Sequence, residues 1–275
     1  MRPVHAASRA TLDQLTASLD AALTGAADTA AAAAATGAEL FEVADLLDSD
    51  RSLRSALIDQ AVPADRRAAL ADGLLADKVS GTTRDTISSA VAGTWSNTRD
   101  LRHGLVELGR RALLRAAREQ GQSEKVGTEL FELARLLERE SELEMILADR
   151  LASAEKRREL LAKVLYGHVS ALTEALALQV VGRPVARPVE DLDALCDFAA
   201  GLDDRKVARV RSAAALSEAQ EQALAQKLEK IYGSAMSVHS EVDTSLLGGA
   251  VIRVGDEVID GSTAGKLSRL RREFA

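Results

Sequence analysis

The residues with the best claim to chemistry stand near the end of the chain. Gly261-Ser-Thr-Ala-Gly265-Lys266-Leu267 resembles a phosphate-cradling loop, in which backbone amides and a lysine would hold an anion. Three residues instead of four separate its glycines, and Leu267 occupies the place of a magnesium-binding hydroxyl, so a tight passage into a helix is the better reading. The four histidines, His5, His103, His168 and His239, lie in four separate segments without the spacing that would put metal ligands on one face. Cys196 is the single cysteine, which excludes an intramolecular disulfide or a multi-cysteine zinc site and suits a reducing compartment; it reads as a small buried apolar residue. There is no Gly-x-Ser-x-Gly elbow to expose a nucleophile. Asp256, Glu257 and Asp260 read as solvated turn carboxylates, because a general acid/base pair needs environments that push two pKa values apart. No catalytic, cofactor or metal site is expected.

The elements around these residues explain why. The chain has 275 residues, 47% of them apolar but only 3% aromatic, and Ala and Leu supply most of the apolar content. That balance favours helix-on-helix packing over a large β architecture. The formal net charge of -7 is uneven: residues 205–275 carry 11 basic and 9 acidic groups, leaving 24 basic and 33 acidic groups before them. An acidic helical region without a basic stripe argues against nucleic acid. The start, with Arg2, His5 and then Asp13, Asp20 and Asp28, has no uninterrupted apolar core of a signal peptide, and no stretch is long and apolar enough to span a bilayer. A cytosolic protein is expected, meeting a membrane only through partners.

Leu12, Leu15, Leu19 and Leu23 form one face of a helix that stops at Gly25. Residues 37–47, GAELFEVADLL, recur as GTELFELARLL at 127–137, identical at 8 of 11 positions. The same ninety-residue offset relates Leu53 to Leu143, Leu57 to Leu147, Asp59 to Asp149, Asp65-Arg66-Arg67 to Glu155-Lys156-Arg157, Leu70 to Leu160 and Leu75 to Leu165. Apolar face and helix starts are preserved, so a packed helical unit is duplicated rather than a polar catalytic constellation. In the second copy the pattern predicts helices over 124–139, 142–152 and 154–165. Residues 99–119 form a long helix that closes the first bundle and opens the second. Pro184 and Pro188 interrupt the pattern, and a helix resumes over 192–202.

From Lys206 the period changes. Residues from Val207 towards Leu216 predict a strand, and Ser217 with Gln220 forms a capping box that opens a helix to Tyr232, ending at Gly233. Met236, Val238, Ser240 and Val242 alternate, and residues 250–254 and 257–259 flank the turn Gly255-Asp256. Ser262 caps a last helix over 264–274, with Arg269, Arg271 and Arg272 at its C-terminal end. The expected fold is mainly α: two tandem helical bundles, 1–105 and 106–204, followed by a small α/β domain, 205–275. With no enzyme reading, a protein that accepts amphipathic helices from partners is the function the residues suggest by themselves. The alternative is that every stripe is consumed by internal packing.

Residues 243–262, DTSLLGGAVIRVGDEVIDGS, together with Gly265-Lys-Leu-Ser-Arg-Leu-Arg271, closely resemble the C-terminal signature of the delta subunit of F-type ATP synthase, the family of the oligomycin-sensitivity-conferring protein. Gly248, Gly249, Asp260, Gly261 and Ser262 match as structural positions of that signature. Residues 130–165 look like the family's N-terminal helical domain. The usual delta subunit has one helical bundle where this chain shows two, a duplication that within the family is associated with actinobacterial forms, some fused to a membrane-anchored b-type segment that is missing here. The resemblance implies a non-catalytic peripheral-stalk subunit without cofactor, on the cytoplasmic side of the cell membrane. It implies as partners the N-terminal helices of the alpha subunits and the b-type stalk subunits, so that rotation is coupled to ATP synthesis and proton translocation. Leu12, Leu15 and Leu19 are the candidates for the alpha contact, because the family's first helix helps form that groove; Leu246, Leu247 and the last helix are those for the b contact. Either copy could hold alpha, and if the bundles are independent, a chain lacking residues 1–100 folds. A generic helical adaptor is the alternative.

Overall fold

A computed structural model describes residues 5–59, 61–76 and 78–273. Arg2 and Phe274, the last residue of the helix expected over 264–274, lie outside the described residues. The elements run α1 (Ala6–Thr24), α2 (Thr29–Ser49), α3 (Arg51–Ile58), α4 (Ala64–Leu75), α5 (Gly81–Ala92), α6 (Thr98–Glu119), α7 (Ser123–Arg139), α8 (Ser141–Ala148), α9 (Ala154–Leu165), α10 (Ala171–Gly182) and α11 (Pro188–Leu202). Then follow β1 (Arg205–Ser212), α12 (Glu218–Tyr232), β2 (Ala235–Val242), β3 (Ala250–Val254), β4 (Glu257–Asp260) and α13 (Thr263–Glu273). The fold is mainly α with a small α/β part at the C-terminal end. The chain forms two compact units: one holds the chain to Val126 together with Glu142–Pro188, the other holds Gly127–Ser141 together with Val189 to the end.

In the helical unit the ninety-residue offset carries the bounds of α3, α4 and α5 onto those of α8, α9 and α10 without a slip. Leu15 and Leu23 of α1 likewise correspond to Leu105 and Leu113 of α6. Thus α6 is the last helix of one copy and the first of the next. Helix starts follow from side chains that accept the free amides of a first turn. Asp28 accepts from the Ala31 amide at 2.9 Å, Asp50 from Ser52 and Leu53 at 2.8 and 2.9 Å, and Asn97 from Asp100 at 2.9 Å. Ser153 and Ser170 cap α9 and α10 in the same way. Gly37 lies inside α2, where it lets that helix press against α6. A Cβ at Gly37 would come within 2.9 Å of the Gly109 carbonyl oxygen, and one at Gly109 within 2.6 Å of the Phe41 ring.

Two helix ends differ from the sequence expectation. The helix expected over 142–152 ends at Ala148, because the Asp149 carboxylate accepts the Leu151 amide at 2.8 Å and turns the chain. The helix expected from Leu192 begins at Pro188, whose missing N–H and fixed φ suit a first helical position. Among the described residues no helix is long and apolar enough to cross a membrane.

In the C-terminal unit the strand order is β2-β1-β3-β4. β1 and β2 are parallel and joined through α12, β1 and β3 are antiparallel, and β3 and β4 form a hairpin in which Val254 faces Glu257 across Gly255-Asp256. Gly255 has φ 57°, which glycine adopts without strain. β1 ends at Ser212 rather than near Leu216: its hydroxyl donates to the Ala214 carbonyl at 2.6 Å and bends the chain away. Ser217 and Gln220 form the reciprocal capping box and Gly233 closes α12 at φ 63°. One sheet face packs on α12 through Ala208, Leu228, Met236 and Val254. The other is met by residues of α7 and α11: Phe131 stacks on His239 at 5.1 Å, and Arg209 reaches Asp193 and Asp197 at 3.2 and 3.0 Å.

Candidate interaction surfaces

The helical unit is stapled by buried arginines. The Arg67 guanidinium donates to the carbonyls of Val91 at 2.9 Å, Asp59 at 3.1 Å, Val62 at 2.7 Å and Ala92 at 3.2 Å. It thereby ties the end of α5 to the turn before α4. Arg157, ninety residues on, donates to Asp149 at 2.8 Å and Gly182 at 3.2 Å, the counterparts of Asp59 and Ala92. Both side chains are buried, at 4% and 7% exposure. Sequence reasoning grouped these arginines with their charged neighbours; the available signal was that Arg recurs unchanged at this position while its neighbours vary between Asp and Glu and between Arg and Lys. Glu39 ties α2 to α5 by accepting the Ser80 amide at 3.0 Å, the Ser80 hydroxyl at 2.7 Å and the Thr83 hydroxyl.

The two copies are also joined by charge. Asp45 of α2 receives Arg158 of α9 at 2.9 Å and Arg183, just past α10, at 2.5 Å; Asp48 receives Arg183 at 2.6 Å and pairs with Arg102 of α6. Burial draws the Arg183 pKa down from the usual guanidinium value, while Asp45 opposes the shift. At the start of α1, the Ser8 hydroxyl and the His5 ring hold Asp100 at 2.7 and 2.9 Å. Burial raises the Asp100 pKa, but the hydrogen bonds from Ser8 and His5 outweigh it and leave the group below the usual carboxylate value.

Leu12, Leu15 and Leu19 point into this structure, at 5%, 4% and 2% exposure. Their apolar area is already used by internal packing, and what α1 shows to solvent includes Arg9, Asp13, Gln14, Ser18 and Asp20. In the C-terminal unit Leu247 is 84% exposed and Leu246 is half-buried. They sit directly before the double glycine. Gly249 has φ 80°, and a Cβ there would lie 2.5 Å from the Gly261 carbonyl oxygen. The close approach lets the Thr263 amide donate to the Gly248 carbonyl at 2.9 Å and the Gly261 amide to the Ala250 carbonyl at 3.0 Å. Asp260 accepts the Ser262 hydroxyl and amide at 2.6 and 2.9 Å, and the Ser262 hydroxyl in turn accepts the Gly265 amide at 3.0 Å, capping α13. The bonds from Ser262 hold the Asp260 pKa below its usual value. Gly248, Gly249, Asp260, Gly261 and Ser262 thus form one clip that joins a loop, a hairpin and the last helix. The phosphate-loop-like stretch is the C-terminal half of this clip. Leu267 of α13 is 54% exposed among Lys266, Arg269 and Arg271.

The buried polar cluster on the opposite sheet face was not anticipated. His239 is buried against Phe131, with its Nε2 3.8 Å from the Cys196 sulfur, and burial together with Arg209 and Arg205 lowers its pKa to about 4. Burial pushes the Cys196 thiol up to about 12, which keeps it protonated and unreactive. Arg135 and Arg209 share Asp193, at 2.8 and 3.2 Å. Among the described residues no group of three or more His, Cys, Asp or Glu could hold a metal ion.

Comparison with known proteins agrees with the C-terminal signature. A family model described as ATP synthase delta (OSCP) subunit matches residues 111–274. The ATP synthase subunit delta of Corynebacterium jeikeium (strain K411) is 61% identical over 272 residues, 99% of this chain and 100% of the relative. That of Corynebacterium urealyticum (strain ATCC 43042 / DSM 7109) is 57% identical with the same coverage. A chain in the cryo-EM structure of the Toxoplasma gondii mitochondrial ATP synthase hexamer matches 60% of this chain and 94% of its own length, at 21% identity and a TM-score of 0.33. The family match begins inside α6, where the second copy begins, whereas the corynebacterial relatives run alongside the first copy as well.

Proposed function

The chain belongs to the ATP synthase delta (OSCP) subunit family, the non-catalytic peripheral-stalk subunit of F-type ATP synthase, and from that premise we propose how it divides its work. The helical part holds the N-terminal helices of the alpha subunits at the catalytic head, and the C-terminal α/β part holds the end of the b-type stalk. The protein then sits on the cytoplasmic side of the cell membrane, attached through these partners. In this reading the chain retains the three sequence regions 1–105, 106–204 and 205–275, with α6 spanning the first boundary.

The observation that carries the reading is the clip between the double glycine and α13. It fixes a short loop and a basic helix relative to a hairpin while leaving Leu247 and Leu267 exposed, which is how a rigid support presents apolar anchors inside a charged rim. Leu246 and Leu247 are accordingly the direct contacts for the stalk. Leu12, Leu15 and Leu19 serve the head contact through their packing, by fixing α1 so that its outer face is presented in one orientation. Load transmission asks for a broad, slowly dissociating interface, and the buried arginines and interlocked acids supply the stiffness behind it.

The test is a pull-down of the tagged full chain from membranes of its source, with identification of the recovered proteins. Alpha, beta and b-type subunits are expected. Recovery of none of them by a folded chain would contradict the reading.

A further inference from the structure

The sheet face that is met by residues of α7 and α11 is covered over only part of its width. Strand register places two ladders of side chains on it: His239, Arg209, Arg253 and Val258 in one, Glu241, Arg211 and Val251 in the next. In the first ladder His239 lies against Phe131, and Arg209 is neutralised by Asp193 and Asp197. Beyond them Arg253 and Val258 are exposed. Between this part of the face and the last turn of α7, which carries Arg139, lies a cavity of about 450 Å3, and every residue that lines it belongs to the C-terminal unit.

Charge in the cavity is unevenly committed. Glu138 and Asp193 accept from Arg135 at 2.5 and 2.8 Å, and Asp243 accepts the Ser245 amide and hydroxyl at 3.0 and 2.6 Å. Arg211 approaches Asp243 only to 3.7 Å, and among the described residues no carboxylate pairs with Arg253 or Arg139. Three arginines on three elements thus face one uncommitted carboxylate, Glu241, and burial pushes the pKa of that group up, which lessens its opposition to an anion. Arg253 also stands directly opposite Arg209 across β1 and β3, and like charges in that relation cost stability. Asp193 and Asp197 relieve Arg209 from one side; an anion in the cavity relieves Arg253 from the other. A carboxylate is filled by two arginines, as Asp193 is by Arg135 and Arg209, whereas phosphate has the oxygens and the charge to accept from three. Val251 and Val258 supply an apolar wall beside the arginines, where an organic body attached to the phosphate gains contact.

We propose that this cavity binds the phosphate group of a small ligand, with Arg139, Arg211 and Arg253 as its donors. The site goes beyond the stator reading, which gives the chain protein partners and no small ligand.

The experiment is equilibrium dialysis of the full chain against ADP, inorganic phosphate and adenosine, without added metal and in about 0.15 M sodium chloride, which screens loose surface charge. ADP is expected to bind and adenosine is not. Phosphate that displaces ADP but binds more weakly identifies a phosphate ester as the ligand; phosphate that binds as tightly as ADP identifies the free anion, and both results support the site. Arg253→Gln and Arg139→Gln, at exposed positions, should each weaken binding about tenfold or more. Lys227→Gln, exposed on α12 against the opposite sheet face, should leave it unchanged, and circular dichroism checks the fold of all three variants. The proposal is overturned if neither ADP nor phosphate binds, if adenosine binds as tightly as ADP, if binding is undiminished in either folded arginine variant, or if Lys227→Gln loses as much.

Discussion

Burial against Phe131 and Cys196 keeps His239 neutral near pH 7, and its folded pKa of about 4 lies below the ordinary histidine value. The unfolded chain therefore binds the extra proton first, so the contribution of this residue is complete above about pH 6.5 and is lost as the pH falls towards 4. Between pH 7 and about pH 4.5 this amounts to about 2–3 kcal/mol. Urea titrations at the two pH values should show the unmodified chain losing about that much more stability than His239→Leu, in which the group cannot titrate. Equal losses would contradict a buried neutral imidazole. Gly249 makes a second prediction at this scale. Its positive φ and the nearby Gly261 carbonyl leave no room for a methyl group, so Gly249→Ala should lower the stability of the C-terminal unit by about 2 kcal/mol or more, read as a shift of its thermal transition.

At the scale of elements, the repeat was legible because helix starts and apolar stripes are local. Ser217 with Gln220, the Gly255-Asp256 turn and the start of α9 are all written within a few residues. What could not be read was tertiary. Arg67 and Arg157 stand beside other charges and look solvated, yet each ties two helix ends together across roughly 25 residues, which only their recurrence hinted at. Leu12, Leu15 and Leu19 have the spacing of an apolar stripe, and a stripe looks the same whether its neighbour is this chain or another. The end of α8 falls four residues before the expected one because the Asp149 turn competes with helix through its own side chain and through the carbonyl that Arg157 takes. Replacing Arg67 or Arg157 by Lys retains the charge but loses the planar fork, so each should cost about 2–3 kcal/mol in urea unfolding. Similar losses at the two sites are expected because they cap equivalent elements; a loss at one site alone would contradict the structural equivalence of the copies.

For the whole molecule, the expectation of separable bundles is the one the structure changes most. α2 packs along α6 through Gly37 and Gly109, and Asp45 binds arginines ninety and more residues away, so the helical unit interlocks the copies. A chain lacking residues 1–100 exposes Leu105, Leu108 and Leu113, all buried in the full chain, and is expected to bind a hydrophobic dye and melt below the intact protein. Asp45→Asn should weaken the helical unit by about 1–2 kcal/mol, a modest figure because the carboxylate is 39% exposed. Stiffness gained this way serves a stator, which must transmit torque without yielding. The most direct measurement is ATP-driven proton pumping by inverted membrane vesicles stripped of the peripheral-stalk subunit. Such vesicles should hydrolyse ATP without pumping, and adding the full chain should restore pumping to a saturable maximum; pumping that is unaffected by its removal or return would contradict the account.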